Sequence, residues 1–263
     1  MGIAPDVRRR IDAHLAAVEE ADCVRVLYAA ESGSRAWGFP SADSDYDVRF
    51  VYIHPQAWYL SIEAEARRDV IERPLIEQID LSGWDVRKAL GLFARSNPPL
   101  AEWLDSPTVY ADRFGFADRL RRLLPEYFSP AGATYHYVRM ARANFRAYLQ
   151  GDRVRPKKYF YVLRPLLAAR WVEQGRGPVP TRFATLLETV GDNPRLRDEV
   201  AALTAQKLEG AELEEGPRWP AIHEFVAEEL ARLQSVAGSQ PRVRGSTEPL
   251  DELFRDCLRQ AWA

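Results

Sequence analysis

The strongest constraint on the fold is a pair of short β-type runs separated by small and polar residues. Residues 24–30 are apolar except for Arg25, and residues 45–53 alternate between polar and apolar side chains. Runs of this kind are typical of strands. Between them lie Gly33-Ser34 and a polar turn region over residues 36–44,. The pattern predicts two strands in a short hairpin-like unit.

The rest of the N-terminal part supplies the neighbours of these strands. Helical spacing predicts a helix over residues 5–20, and residues 68–82 look extended, with a turn at Ser82-Gly83,. A further helix is predicted over residues 85–96, where the following Pro98 and Pro99 stop it,. This part of the chain is a mixed α/β or α+β unit by its predicted order of elements, which is helix, strand, turn, strand, strand and helix.

After about residue 113 the apolar spacing is mostly helical. The predicted helices cover residues 112–124, 133–150, 156–174, 181–190, 195–209, 219–236 and 250–262,. A polar Gly/Pro/Ser linker is predicted near 236–249,. We therefore expect an α+β chain with a mixed α/β domain over residues 1–112 and an all-helical domain over residues 113–263.

Composition excludes several classes of protein. No apolar run approaches the ~18 residues that a membrane helix needs,. The N-terminus has no apolar signal region, so we expect a cytoplasmic protein with no membrane partner. Cys23 and Cys257 stand alone, without the spacing of a zinc site,.

Charge is unevenly distributed along the chain. Residues 135–182 contain eleven Lys or Arg and two acids, whereas residues 183–263 contain fifteen acids and nine bases. A basic segment beside an acidic motif suits a polyphosphate substrate with metal ions. A solvated helix face is the alternative explanation.

The acidic motif is formed by Asp45 and Asp47 at the start of the second strand. Residues i and i+2 of a strand face the same side, about 6–7 Å apart. Two like charges at this distance favour a cation between them, and carboxylate oxygens suit Mg²⁺ or Mn²⁺. Just upstream, Gly33 lets the backbone approach a ligand closely, and Ser34 supplies donors for phosphate oxygens. Metal ligands beside a phosphate-holding turn are what phosphoryl or nucleotidyl transfer requires.

Gly33-Ser34 followed by Asp45-x-Asp47 resembles the DNA polymerase beta-like nucleotidyltransferase superfamily. The fuller pattern is similar to its branch of predicted bacterial and phage nucleotidyltransferases, the RNA-repair-pathway polymerase-beta family. The matching strings are ESGSRAWGFPSADSDYDVRFVY, IDLSGWDVRKALGLFARSNPPLAEWLDSPTVY (79–110) and KKYFYVLRPLLAARW (157–171). The resemblance implies a nucleotidyltransferase core in the α/β domain and transfer of a nucleoside monophosphate from an NTP to a hydroxyl of an RNA end, a protein or a small molecule. It also implies a Mg²⁺ or Mn²⁺ cofactor.

The resemblance implies a third catalytic, metal-binding carboxylate on a neighbouring strand. Asp80 is flanked by Ile79 and Leu81, as expected for a strand residue facing a cleft. Asp85 is the other candidate, but Asp at the start of a helix is more often a cap. We favour Asp80 and keep Asp85 open.

Several basic residues are candidate phosphate contacts. Arg35 follows the Gly33-Ser34 turn, and Lys88 lies on the helix after Asp85. Lys158 and Arg164 belong to a basic helix with interleaved tyrosines, which could hold a triphosphate,. Arg49 lies on the same strand face as Asp47 and could hold the carboxylate pair in place.

Two other functions compete with an enzyme. One is a catalytically inactive nucleotide- or RNA-binding module, which the presence of both Asp45 and Asp47 disfavours. The other is an antitoxin-like interaction partner, which the long helical region disfavours because the chain looks self-contained.

Overall fold

The computed structural model describes residues 3–63, 65–191, 193–209, 215–236 and 245–263. The chain forms two compact units. The first, the sheet unit, comprises residues 1–36, 45–127 and 244–263, and the second, the helical unit, comprises residues 37–44 and 128–243. The chain therefore leaves the sheet unit after residue 36, contributes eight residues to the helical unit and returns at residue 45.

A five-stranded sheet forms the centre of the sheet unit. Its strands are β1 (Arg25–Glu31), β2 (Tyr46–Ile53), β3 (Val70–Glu72), β4 (Ile79–Asp85) and β5 (Val109–Asp112), in the order β3-β4-β2-β1-β5. Strands β2 and β4 are parallel, and the other neighbouring strands are antiparallel. The predicted pairing of the first two β-type runs is confirmed.

Helices cover both faces of this sheet, because alternate residues of its strands point to opposite sides. Val48, Phe50 and Tyr52 of β2 pack in one core with α1 (Pro5–Ala21). Val51 and Ile53 pack on the other face, in a core shared with the remaining long helices of the unit. Those helices are α4 (Val86–Ala94), α5 (Pro98–Leu104), α6 (Phe116–Tyr127) and α12 (Glu248–Ala261). The unit also contains the short helix α3 (Gln56–Tyr59) and all but the last residue of the short helix α2 (Gly33–Trp37).

The turn predicted at Ser82-Gly83 is wrong, since both residues lie inside β4. Gly83 pairs in parallel register with Phe50 on β2. A Cβ atom on residue 83 would lie 2.2 Å from Cε2 of Phe50. This glycine therefore makes room for an aromatic ring from the neighbouring strand and does not mark a turn.

The helical unit is built around α8 (Lys157–Glu173), which is buried on nearly all sides between residues 159 and 172. The surrounding helices are α7 (Pro130–Tyr148), α9 (Phe183–Leu187), α10 (Pro194–Leu208) and α11 (Pro220–Val236), with a 3-10 turn over Glu188–Val190. Two short strands, β6 (Arg153–Val154) and β7 (Gly216–Pro217), pair beside them. A helix that is buried on nearly all sides is expected at the centre of a bundle.

The predicted α+β class, with a mixed N-terminal part followed by helices, is confirmed. The domain boundary predicted between residues 112 and 113 stays a prediction. In the structure α6 and α12, which follow that boundary in the chain, share an apolar core with β1 and β2. Residues 237–244 of the predicted linker lie outside the described residues.

None of the helices in the described ranges is both long enough and apolar enough to cross a membrane.

Asp85 is the N-cap of α4. Its buried side chain accepts hydrogen bonds from the Arg87 backbone N–H and the Tyr59 hydroxyl, both at 2.8 Å. Burial raises its pKa to about 6, and the bonds from Tyr59 and Arg87 oppose that shift. This carboxyl group therefore has a structural role at the start of a helix.

We expect Asp85→Asn to change how stability depends on pH. Because the folded pKa of about 6 lies above the ordinary 3.8, the native state keeps a proton that the unfolded state releases. The stabilisation is complete below about pH 4 and is lost as pH rises through 6, a change on the order of 3 kcal/mol. The asparagine side chain retains an acceptor for the cap and does not titrate. Urea unfolding at pH 4 to 7 should show the variant gaining stability relative to the wild type as pH rises.

Asp118→Asn is the matched control, since Asp118 is exposed and pairs with Arg121 on the surface. A stability difference between Asp85→Asn and the wild type that stays constant over this pH range would contradict the assignment.

Candidate functional site

Asp47 and Asp80 lie side by side on neighbouring strands. They are paired directly in the parallel register of β2 and β4, and neighbouring strands are about 4.8 Å apart. Both residues are partly exposed, with 27% and 39% of the side-chain surface accessible. The structure thus brings together Asp47 and the favoured candidate for the third carboxylate, although the two are far apart in the sequence.

Arg49 joins these two carboxylates. Its Nη2 donates to Oδ1 of Asp47 at 2.9 Å and to Oδ2 of Asp80 at 2.7 Å, and its Nη1 donates to the Asp80 carbonyl at 3.1 Å. The sequence suggested that Arg49 would hold the pair Asp45 and Asp47. The observed pair is Asp47 and Asp80, because their strands are in direct register whereas Asp45 precedes the first residue of β2.

The electrostatics around Asp47 favour a cation. Burial raises the pKa of Asp47 above its ordinary value, and the charges of Asp80 and Asp45 raise it further. The charges of Arg49 and Arg35 lower it. A positive charge at this point therefore reduces the cost of keeping Asp47 ionised.

Carboxylate oxygens are the donors that Mg²⁺ and Mn²⁺ prefer, and magnesium sites commonly use one or two carboxylates. Asp47 and Asp80 fit that donor chemistry, with the exposed Asp45 close enough to affect the pKa of Asp47. Within the described ranges, no three His, Cys, Asp or Glu side chains are grouped as a ready metal ligand set. The guanidinium of Arg49 contacts both Asp47 and Asp80 instead.

Gly33 lies against the carboxylate of Asp47. A Cβ atom on residue 33 would be 1.9 Å from Oδ2 of Asp47, and the backbone there has φ +58°, which side-chain-bearing residues rarely adopt,. Next to it, the Ser32 N–H donates to the Asp47 carbonyl at 2.8 Å. The turn containing Gly33 and Ser34 is therefore adjacent to the carboxylate motif. These two residues are the first residues of the short helix α2.

Arg35 is held beside the same motif. Its Nε donates to the Asp45 carbonyl at 3.2 Å, and its guanidinium lies 3.7 Å from the centre of the Tyr46 ring. Its charge also lowers the pKa of Glu31 and of Asp47. Arg35 is thus placed next to Gly33, Ser34 and both aspartates of the motif.

Glu31 is the residue of this site that the sequence reasoning missed. It is buried at the end of β1, where its Oε1 accepts from the Asp47 backbone N–H at 2.8 Å and its other oxygen accepts from the Tyr110 hydroxyl. Burial raises its pKa to about 7. The available signal was an acid at the end of an apolar strand, two residues before Gly33.

Lys88 is not brought to this cluster. Its Nζ pairs with Asp69 at 2.8 Å near the start of α4. That helix follows the last residue of β4, whereas Asp80 is the second residue of that strand. The separation along the strand is about 16 Å.

Lys158 and Arg164 lie in the helical unit. The Lys158 Nζ is 4.0 Å from the centre of the Tyr148 ring and 4.9 Å from that of Tyr161. Arg164 is buried, with its guanidinium 4.8 Å from the Trp37 ring and its Nη2 3.5 Å from the Thr181 carbonyl. The alternative of a solvated basic face therefore does not describe Arg164.

Comparisons with known proteins agree with the motif. The chain matches the RlaP family, described as the RNA repair pathway DNA polymerase beta family, over residues 7–256. It is 44% identical over 257 residues to the uncharacterized protein YcgL of Bacillus subtilis (strain 168), covering 97% of this chain and 98% of that protein. The family resemblance inferred from the motif strings is confirmed.

One similar solved structure is a nucleotidyltransferase-like protein from Exiguobacterium sibiricum 255-15. The alignment covers 94% of this chain and 80% of that chain, with 14% identity and a TM-score of 0.34.

Proposed function

Because the chain belongs to the RNA repair pathway DNA polymerase beta family, we propose that it is a nucleotidyltransferase acting on an NTP. It transfers the nucleoside monophosphate to a hydroxyl group of an acceptor and releases pyrophosphate. The observation that carries the proposal is the cluster in which Gly33 lies against Asp47 and Asp47 lies beside Asp80. A phosphate-binding turn and paired carboxylates are then within reach of one triphosphate.

The reaction assigns distinct roles to these residues. The acceptor oxygen forms a bond to the α-phosphorus, and the bond from the α-phosphorus to the bridging oxygen breaks, so that pyrophosphate leaves. Asp80 is the more exposed carboxylate of the pair, and it accepts the proton of the attacking hydroxyl as a general base. Gly33, Ser34 and Arg35 hold the outer phosphates through the backbone, a hydroxyl and a guanidinium.

Asp45, Asp47 and Asp80 are the residues that would hold Mg²⁺ or Mn²⁺. When bound, such an ion supplies neutralisation of the negative charge that develops on the phosphate oxygens. Arg49 holds Asp47 and Asp80 in place by bonding to both. Glu31 positions Asp47 through the backbone N–H.

Lys158 and Arg164 are proposed as further contacts for the triphosphate, and Lys88 as a more distant phosphate contact. For the acceptor, an RNA end, a protein hydroxyl and a small molecule are all compatible with the reaction. The description of the family names RNA repair, and we therefore propose RNA as the acceptor to test first.

A transfer assay tests the proposal directly. The protein is incubated with each α-labelled NTP, Mg²⁺ or Mn²⁺, and RNA, protein or small-molecule acceptors. We expect label on an acceptor with the wild type, and a loss of about a hundredfold or more with Asp47→Asn or Asp80→Asn, because each removes a charge at the reacting phosphate.

Asp85→Asn is the matched control, since it removes a carboxylate from the other end of the same strand and should leave transfer unchanged. If Asp85→Asn abolishes transfer and Asp80→Asn does not, the third carboxylate is misassigned. Nucleotide binding without transfer to any acceptor would instead support an inactive nucleotide-binding module.

Metal binding is expected to depend on the motif aspartates. Mn²⁺ should raise the melting temperature of the wild type, because an ion bound only to the native state stabilises it. The double variant Asp45→Asn, Asp47→Asn should lose this increase, and Asp118→Asn should retain it. Calorimetric melting with and without Mn²⁺ makes the measurement, and an equal increase in the double variant would place the metal elsewhere.

Nucleotide titrations test the helical-unit contacts. Lys158→Ala and Arg164→Ala should each weaken ATP binding several-fold or more and affect AMP less, because AMP lacks the outer phosphates. Arg176→Ala, which breaks a surface pair with Glu188, is the control.

Since Arg164 is buried, Arg164→Lys is measured as well, and unfolding curves verify that each variant is folded. Equal losses for ATP, ADP and AMP would indicate contacts to the base or sugar. Unchanged binding in the folded variants would remove Lys158 and Arg164 from the site.

A further inference from the structure

Helix α7 in the helical unit carries a stripe of arginines preceded by a tyrosine. Tyr135, Arg139, Arg142 and Arg146 recur at intervals of four, three and four residues, which places them on one face of a helix. Tyr135 is 59% exposed, Arg139 and Arg146 are exposed, and Arg142 is half-buried. The opposite face of α7 provides the buried residues, including Tyr137, Val138 and Ala141.

Across the described ranges, acidic neighbours do not neutralise the arginines of this stripe. Helix α7 contains no Asp or Glu in its nineteen residues. Among the described residues, Arg139, Arg142 and Arg146 form no ion pair, whereas Arg170 and Arg176 of the same unit do. The Nε of Arg142 is also buried and has no hydrogen-bond partner in the described part of the chain.

Helix-dipole stabilisation does not account for the whole stripe. A basic residue is favoured in the last turn of a helix, and only Arg146 lies there. Arg139 and Arg142 lie further back, where that effect has fallen off. Three neighbouring positive charges repel one another, and an anionic ligand bound along the stripe relieves that repulsion.

We propose that this stripe binds a single-stranded polynucleotide, and that this strand is the acceptor of the transferred nucleotide. The second part rests on the proposed function, whereas binding does not require catalysis. Arg139 to Arg146 span about 10 Å of helix, over which a strand stacked as in a duplex, at about 3.4 Å per phosphate, presents about three phosphates. Tyr135 lies one turn before Arg139 and offers an exposed ring for a base to stack on.

The length of the charged stripe, together with the exposed aromatic ring, favours a strand over a nucleoside triphosphate. Strand-binding proteins combine a positive track for the backbone with aromatic rings for the bases. A nucleoside triphosphate also has a base, but its phosphates are grouped at one end of the molecule, whereas Arg139, Arg142 and Arg146 extend over about two turns of α7,. Both RNA and DNA strands have this chemistry, so the experiment includes one strand of each with the same sequence.

The test measures the binding of a fluorescein-labelled, unstructured 20-nucleotide RNA and of its DNA counterpart by anisotropy. No NTP is present, EDTA removes divalent ions, and the salt concentration is varied. The test variant is Arg139→Gln, Arg142→Gln, Arg146→Gln. The control is Arg182→Gln, Arg195→Gln, Arg197→Gln, which removes the same charge from exposed arginines on other parts of the helical unit.

We expect the wild type and the control to bind at least one strand and the stripe variant to bind it about tenfold or more weakly. For the stripe variant, the slope of log K against log salt concentration should be less negative by about 2. Each lost phosphate contact to a single strand accounts for about 0.7 of this change. Tyr135→Ala should weaken binding about fivefold or more without changing that slope, and Tyr135→Phe should restore it. A stronger effect on RNA or on DNA identifies the strand.

The proposal is overturned if the wild type binds neither strand, or if the stripe and control variants lose affinity equally. Anionic phospholipid vesicles form a parallel arm, and binding to vesicles through the stripe without binding to either strand would also overturn it. Asp47→Asn separates the two proposals, because it should abolish transfer and leave strand binding intact. Strand binding through the stripe without any transfer would refute the proposed enzyme and the acceptor role, and would leave the binding surface in place.

Discussion

The arrangement of the site depends on the absence of a side chain at residue 33. The Asp47 carboxylate occupies the space where a Cβ on Gly33 would lie, 1.9 Å from Oδ2. This contact lets the turn after β1 approach the start of β2, and the Ser32 N–H then reaches the Asp47 carbonyl. Glycine is therefore required at residue 33 for the position of Asp47, apart from any phosphate contact. Any larger residue would displace the carboxylate.

The site also depends on how arginines offset the negative charge around Asp47. Glu31, Asp47 and Asp80 are three acids close together, and burial raises the pKa of the first two. Arg49 bonds to two of the three, and Arg35 lowers the pKa of the third, Glu31. Pairing alone does not remove the cost of the cluster, because the pKa of Asp47 remains raised. A positive charge placed at this cluster would reduce that cost.

Local sequence patterns predicted most of the helices and both central strands, because each has the periodicity of its own type. They failed where a partner far along the chain decides the structure. The local pattern at Gly83 predicts a turn, because its neighbour Phe50 is more than thirty positions away. The four-residue strand β5 was missed, since it depends on pairing with β1. Likewise, α12 packs with the sheet although it is the last helix of the chain.

The same distinction applies to the site. Asp45, Asp47 and Gly33 could be found because they belong to one short segment. Asp80 could be favoured from its apolar neighbours, but its register with Asp47 comes only from the parallel pairing of β2 and β4. No local pattern identifies Glu31, because its partners, the Asp47 N–H and the Tyr110 hydroxyl, lie 16 and 79 positions away in the chain.

The path of the chain adds a constraint that no single motif reveals. Residues 37–44, which precede Asp45, belong to the helical unit. There Phe39 is buried, stacked on Phe160 at 4.3 Å and edge-on to Phe183 at 5.3 Å, while the Lys207 Nζ donates to the Ser41 hydroxyl at 2.9 Å. Packing within the helical unit therefore gives this connection a defined course, although it is rich in small residues.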